Sequence, residues 1–383
     1  MTSGRAETRI RSRCTEYEEA RQAVDMVGLG DDEPTLVSVH ADVSVVIAAR
    51  NARAVVGSAL ASIAGQSVQP AQVVVVDDGS TDDTADVVIS WSTRLPVLLL
   101  RNGLASGPGQ ARARGAACAT GRLLTFLDAD DVLLPTHLEE LLRVHTRHGG
   151  IVTSDALIWS AAAGKVSGTF HENRPVPEPT DQRRGILGRN FLLIGSLVER
   201  EAYLTVGGFR AEHDGAEDWD LWIRLIFAGH AVHRSATTYV YRQSKTSLSR
   251  DLKTAAASLA LVEATMRSLD GDELLAAQTS RRAWLVQVHR ISAVAKAGVG
   301  DWEGARREAL TALRHAPGRP DVRALLIALS PRWAAAMARS RAQERWERND
   351  SPGTQTYAPP PAGRRGGPCA AADGGRVRPR SRR

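Results

Sequence analysis

The sequence predicts an α/β fold, a mostly parallel sheet flanked by helices, followed by a C-terminal all-helical segment. Three features carry that prediction. From Asp42 onward, short apolar runs rich in β-branched residues alternate with stretches of helical period, the pattern of right-handed strand–helix–strand crossovers. The runs are apolar throughout rather than alternating, as in strands covered by helices on both faces. Beyond Asp251 the strand signals stop and only helical periods remain.

Residues 1–40 read as a charged, weakly ordered N-terminal extension with one amphipathic pattern over Thr15 to Val27. A 41–250 domain then opens with Val43-Ser44-Val45-Val46-Ile47 as a buried strand, Arg50-Asn51 as a loop and Ala54 to Gln66 as a small-residue helix. Val73 to Val76 forms a second strand, ending in Asp77-Asp78-Gly79-Ser80-Thr81-Asp82. Thr84 to Trp91 is helical, and Val97 to Leu100 is a third strand. A glycine-rich loop, Gly103 to Gly109, opens the helix Gln110 to Ala119, which carries Arg112 and Arg114. Such a loop can cradle phosphate at a helix N-terminus, although neither Gly-x-Gly-x-x-Gly nor Walker spacing is present.

The next strand, Leu123 to Leu127, stops abruptly in Asp128-Ala129-Asp130-Asp131. Pro135 to His148 reads as a helix and Ile151 to Ser154 as a strand. Ala161 to Gly188 reads as an irregular stretch holding Pro175, Pro177 and Pro179, long enough for a binding lid. Asn190 to Glu199 is expected to be another strand. Asp218 to Ala228 is an amphipathic helix with Leu221, Trp222, Leu225 and Ile226 on one face and Gly229 at its end. Ala231 to Arg242 is a strand, and Arg242 to Arg250 a basic, serine-rich loop. A 251–348 segment shows helical periods over 255–269, 273–297, 304–315 and 321–339. Residues 349–383 lack bulky apolar side chains and predict a disordered basic tail.

Composition removes several classes. Cys14, Cys118 and Cys369 are too few and too scattered for a disulfide framework or a thiolate metal site. No apolar run reaches the ~20 residues of a spanning helix. The net charge of +6 equals the balance of seven arginines and Asp373 between Arg364 and Arg383. The folded part is therefore close to neutral, and no nucleic-acid partner is expected.

Acids at the ends of buried strands carry the chemistry, because open α/β sheets bind ligands at the carboxyl ends of their strands. In extended chain Asp128 and Asp130 point the same way and can approach one hard cation together, while Asp131 points elsewhere. The same acids could form a solvated turn capping the following helix. Asp77 and Asp78 can accept hydrogen bonds from a nucleoside or form an Asx turn. Glu217 and Asp218 open a helix, where the macrodipole favours acids, yet Trp219 supplies an apolar wall that could raise a carboxylate toward general-base use. Arg242, Lys245 and Ser247 form a basic loop that could neutralise phosphate or simply connect two elements.

Taken in order, Val43 to Asn51, Val74 to Asp82, Leu127 to Asp131, and Gly207-Gly208-Phe209 with Glu217-Asp218-Trp219-Asp220-Leu221-Trp222 resemble glycosyltransferase family 2, with its GT-A fold, across Ala41 to Arg250. The resemblance implies an inverting, metal-dependent, hexosyltransferase-type enzyme that moves one sugar from a nucleotide-diphosphate donor to a carbohydrate, lipid-linked or small-molecule acceptor. Ala48, Arg50 and Asn51 would border the nucleotide, Asp77 would contact base or ribose, and Asp128 and Asp130 would hold Mn²⁺ or Mg²⁺ against the diphosphate. Asp218 would be the catalytic base, and Glu217 would orient the acceptor. Many relatives carry Pro and an aromatic where Ala48 and Ala49-Arg50 stand, and some carry a His where this chain has Ser244. Gln343-Glu344-Arg345-Trp346 is one residue short of the processive Gln-x-x-Arg-Trp signature, so a single addition is expected. The resemblance fits a cytoplasmic protein of polysaccharide biosynthesis, with the Arg-rich tail available for peripheral contact at the inner face of a membrane. Two other readings remain: a non-catalytic nucleotide-sugar-binding or scaffold protein acting through its helices, and a nucleotidyltransferase. The latter should show a basic triphosphate loop where Ala48 to Ala52 offers only Arg50.

Overall fold

The computed structural model describes residues 40–160, 164–172, 174–243, 252–316 and 322–330. The N-terminal extension, Lys245 with its loop, and the basic tail lie outside these residues. Strand β1 (His40–Ala49) is the middle of a five-stranded sheet of order β3-β2-β1-β4-β8. β2 (Gln69–Asp77), β3 (Val97–Arg101) and β4 (Leu123–Asp128) run parallel, and the two-residue β8 (Val198–Glu199) is antiparallel to β4. The chain runs outward from β1 through β2 to β3 and returns on the far side as β4, so the connections diverge at the carboxyl ends of β1 and β4. That divergence opens a crevice. A second sheet, β5-β9-β6-β7, joins β5 (Val132–Leu133), β6 (Ile151–Ser160), β7 (Lys165–Thr169) and β9 (Val232–Gln243), with β6 and β9 parallel.

The continuous apolar runs are explained by burial on both faces. Val43, Val45 and Ile47 pack against Val56 and Leu60 of α1 (Val56–Ala64) and Leu138 and Leu141 of α4 (His137–His148). Val46, Val74, Val76 and Phe126 point the other way, into a core shared with α3 (Pro108–Ala117) and α7 (Glu217–Phe227). Between α1 and α3 lies α2 (Thr84–Ser90).

Two expectations change. Of the strand expected over Asn190 to Glu199, only Val198 and Glu199 pair as a strand. Phe191, Leu192 and Leu193 are buried without a ladder; the run is apolar because it is covered, which is a different cause from pairing. The stretch Ala161 to Gly188 holds β7, a short 3₁₀ turn at Pro179–Asp181 and helix α5 (Gln182–Gly188). Helix α6 (Arg200–Thr205) follows β8.

After β9 the described residues are helical: α8 (Leu252–Thr265), α9 (Gly271–Gly298), α10 (Trp302–Arg314) and α11 (Val322–Leu329). Leu261 and Val262 of α8 and Ala277 of α9 belong to the same core as Trp222 of α7. All the described residues fall in one compact unit. Among them, no helix is long and apolar enough to cross a membrane.

Candidate active site

Register brings the strand-end acids together. Ala49 pairs with Asp77 and Ala48 with Asp128, so Asp77 and Asp128 lie on the two strands flanking the end of β1. Ala48 itself stands between Val76 and Asp128, with its side chain packed against the core shared with α3 and α7. Asp77 is buried; its Oδ1 accepts from Ser80 N at 3.0 Å, and its Oδ2 lies 3.4 Å from Arg101 Nε.

Arg50 is exposed beyond β1. Asn51 has a left-handed φ of 48°, and its Oδ1 accepts from Thr81 N at 2.9 Å while its own N–H donates to Ser80 Oγ at 2.9 Å. Asn is among the few residues that tolerate this conformation. It ties the β1 loop to the β2 loop.

Asp78 does a different job from its neighbour. It accepts from Ser106 N at 2.9 Å, Ser106 Oγ at 2.8 Å, Gly107 N at 2.9 Å and Asn102 Nδ2 at 2.6 Å. Burial pushes its pKa up, but these donors outweigh burial and hold the carboxyl below its ordinary value. Asp78, grouped with the nucleotide contacts by its motif, is thus the anchor of the glycine-rich loop before α3.

The acidic turn corrects the alternation argument. β4 ends at Asp128, and Asp131 N donates to Asp128 O at 3.0 Å, closing a turn in which strand alternation no longer applies. Asp128, Asp130 and Asp131 each present a carboxylate oxygen within 4.8 Å of the other two. Asp131 is buried, accepting from Tyr239 Oη at 2.7 Å and Arg242 N at 2.8 Å, and so ties β9 to the end of β4. Loss of water, then the Asp128 and Asp130 charges, raise its pKa well above the usual carboxylate value. Asp130 opens to the crevice, yet enough protein surrounds it that loss of water, followed by Asp128, pushes it up to about 6. Burial lowers the pKa of the Arg242 side chain, against the pull of Asp131 and Asp130.

Three clustered carboxylates, two of them raised, are short of positive charge. An all-oxygen donor set of this kind fits a hard divalent cation, with Asp130 and the remaining oxygen of Asp128 as the accessible ligands.

Arg112 and Glu217 depart furthest from expectation. Arg112 points into the protein, donating from Nη2 to Asp128 Oδ1 at 2.5 Å and from Nη1 to Glu217 Oε1 at 2.8 Å. Desolvation works against its charge, but Asp128 and Glu217 overcome it and raise its pKa. Both oxygens of Glu217 are engaged, since Oε2 accepts from Gly215 N at 2.8 Å. Neither residue is placed as a direct ligand contact; together they join the acidic turn to the first turn of α7. Sequence reasoning missed this chain. Its signal was Gly109, one helical turn before Arg112, where a Cβ would lie 2.8 Å from Glu217 Cγ.

Asp218, next along α7, is half-buried. Asn190 Nδ2 donates to its Oδ2 at 3.1 Å and Trp219 N to its Oδ1 at 2.7 Å. Loss of water first, then the Glu217 charge, raise it to about 6, with the Trp219 amide and Arg112 opposing. Asp218 is therefore an oriented carboxylate one residue along α7 from Glu217, which Arg112 joins to Asp128.

A mostly parallel sheet with acids at a strand-order reversal, beside a glycine-rich loop and a second acidic helix start, places a ligand crevice at the carboxyl ends of the strands. The chain belongs to glycosyltransferase family 2: the model described as Glycosyl transferase family 2 matches residues 44–184, which include Asp77, Asp128 and Asp130. A PGL/p-HBAD biosynthesis glycosyltransferase of Mycobacterium bovis (strain BCG / Pasteur 1173P2) is 30% identical over 188 residues, covering 48% of this chain and 69% of the relative. The succinoglycan biosynthesis protein ExoU of Rhizobium meliloti (strain 1021) is 32% identical over 204 residues, covering 49% of this chain and 58% of that protein. Among solved structures, S. aureus TarS 1-349 superposes with a TM-score of 0.51 over 81% of this chain and 92% of that one, at 18% identity, which shows the shared fold. The protein is a nucleotide-sugar glycosyltransferase of the GT-A fold.

Proposed function

We propose that this enzyme transfers one sugar from a nucleoside-diphosphate donor to an acceptor hydroxyl with inversion, and that Asp218 is the base. The observation that carries this is a single oriented, raised carboxylate fixed by Asn190 and the Trp219 amide, on the helix α7 whose Glu217 is joined by Arg112 to the acidic turn. Asp77 and the β1 loop around Ala48, Arg50 and Asn51 hold the nucleoside. Arg242 would meet the diphosphate; Lys245, expected in the same role, lies outside the described residues. The acceptor hydroxyl attacks the anomeric carbon from the face opposite the leaving group and gives its proton to Asp218, so one displacement suffices and no covalent sugar–enzyme bond forms. Mn²⁺ or Mg²⁺, held by Asp130 and Asp128, would supply Lewis-acid charge for the departing diphosphate. Asp131, already engaged with Tyr239 and Arg242, holds the turn in shape.

The test is turnover of UDP-, GDP- and dTDP-sugars with Mn²⁺ or Mg²⁺ by the native protein, Asp130→Ala and Asp218→Asn. UDP-GlcNAc, which TarS binds in its crystal structure, is a natural first donor. Metal-dependent turnover should fall at least ~100-fold in both variants, with nucleotide binding surviving in Asp218→Asn. Full activity in Asp218→Asn would remove it as the base. No binding of any donor would favour a non-catalytic role. Contact of the Arg364–Arg383 tail with anionic lipid belongs to the same proposal; vesicle binding that survives truncation before Arg364 would remove it.

A further inference from the structure

The first sheet ends on an edge strand that the reaction leaves unused. β3 is outermost in the order β3-β2-β1-β4-β8, and among the described residues no strand pairs with its outer side. An open edge is a template for a further strand, and proteins usually blunt it with charges, proline, a bulge or a covering element. Val97-Leu98-Leu99-Leu100, between Pro96 and Arg101, contains no charge, no proline and no break in register with β2. Leu98 is 37% exposed, and Ile89 of the adjoining helix α2 is 55% exposed.

The backbone shows which groups this edge offers. Val73 N donates to Pro96 O at 3.0 Å and Asn102 N donates to Asp77 O at 2.8 Å, so the even-numbered residues of this strand turn their backbone groups toward β2. Backbone groups alternate sides along a strand, which turns those of Val97, Leu99 and Arg101 outward. Two of these are engaged within the chain: Val97 N donates to Leu95 O at 2.8 Å, and Arg101 O accepts from Arg114 Nη1 at 2.8 Å. Among the described residues the groups left open are Val97 C=O, Leu99 N–H and C=O, and Arg101 N–H.

Two such edges laid antiparallel about Leu99 match group for group. Each Leu99 N–H meets the partner's Leu99 C=O, and each Arg101 N–H meets the partner's Val97 C=O. In the same register Val97 N–H would face the partner's Arg101 C=O, and those are the two groups the chain has already satisfied for itself. Leu98 shares a face with Leu100, which packs toward α3, and comes opposite the partner's Leu100, apolar against apolar. A two-fold axis through the joint keeps both α2 helices, each with its exposed Ile89, on the other face. We propose that the β3 edge is a homodimer interface, in which two copies pair antiparallel about Leu99 and join two five-stranded sheets into one. The joint reverses strand direction, so the two crevices lie at opposite ends of the joined sheet.

Sedimentation equilibrium tests this on the full chain without any turnover. The native protein should sediment at twice its 41.2 kDa chain mass. Leu98→Lys, at an exposed position, and Leu99→Pro, which removes an outward N–H and leaves the bonds to β2 in place, should each weaken association about 100-fold or more. Cysteine trapping then reads the register, in a chain carrying Cys14→Ser, Cys118→Ser and Cys369→Ser. Leu99→Cys should give a disulfide-linked dimer on mild oxidation, since facing residues of a hydrogen-bonded pair lie about 5.5 Å apart. Leu98→Cys should not, because it stands two residues out of register with the partner's Leu98. A native chain that stays monomeric at about 100 µM, a dimer of unchanged affinity in Leu98→Lys, or trapping at position 98 in place of 99 would overturn the proposal.

Discussion

Asp218 must be ionised to accept a proton, and its environment sets when that happens. With its pKa raised to about 6, log kcat/KM for transfer should rise with pH through about 6 and level off above it. A profile flat from pH 5 to 8 would deny Asp218 the role. Arg112 is one of the groups holding that pKa down, so Arg112→Met should move the rising limb to higher pH. The same change strands Glu217 and Asp128 without their cation, and breaking a buried pair of this kind costs roughly 3–5 kcal/mol, readable as a fall in urea stability. The folded state holds the Asp218 proton more tightly than the unfolded chain. Its contribution to stability is therefore fully present below the ordinary carboxylate value of 3.8 and is lost as pH rises to about 6. Asp77, Asp128, Asp130 and Asp218 were legible in the sequence because an acid that ends an apolar run, or stands beside a tryptophan, is a chemical anomaly visible in one dimension. The partners of Arg112, Glu217, Asp78 and Asp131 were not, because side chains and backbone amides 16 to 111 residues away in sequence take up each carboxylate or guanidinium.

Helix α3 shows how two local rules conflict and which one wins. Its sequence, Pro-Gly-Gln-Ala-Arg-Ala-Arg-Gly-Ala-Ala, contains two glycines that propensity alone would replace with alanine for up to ~1 kcal/mol each. At Gly115, however, a Cβ would lie 2.4 Å from Val46 Cγ1 and 3.1 Å from Val76 Cγ2, both fixed in the sheet. Overpacking of that sort typically costs about 1–3 kcal/mol. Gly115→Ala should therefore lower urea stability by ~1–2 kcal/mol; an unchanged or raised midpoint would mean that α3 sits further from the sheet than described. Long elements were readable for a related reason. β1, β2, β4 and α7 each bury a full apolar run or stripe, so period and packing agree. Helix α5 was hidden because Gln-Arg-Arg-Gly-Ile-Leu-Gly buries only Gln182, Ile186 and Leu187, too short a stripe to display a period. The run from Asn190 misled because buried loops and buried strands share a composition.

The helices after β9 back helix α7 rather than stand apart from it. Trp219, which follows Asp218, donates from Nε1 to Ile186 O at 2.7 Å, and its ring lies 5.9 Å from that of Trp284 on α9. Arg183 of α5 donates to Glu273 Oε1 at 2.8 Å at the start of α9. α9 thus touches both elements that frame Asp218, while Leu261, Val262 and Ala277 continue the core of the sheet. Helices packed in this way should unfold with the sheet, since neither side keeps a covered apolar face without the other. Trp284 is half-buried, so truncation should cost somewhat less than the ~3–5 kcal/mol of a fully buried tryptophan. Trp284→Ala should therefore lower stability by about 2–3 kcal/mol in a single calorimetric transition, and transfer should fall more than nucleotide binding as α7 loses its backing. Two separated transitions, with only the first shifted by the mutation, would instead make the helices an independent domain and cut their link to the chemistry at Asp218.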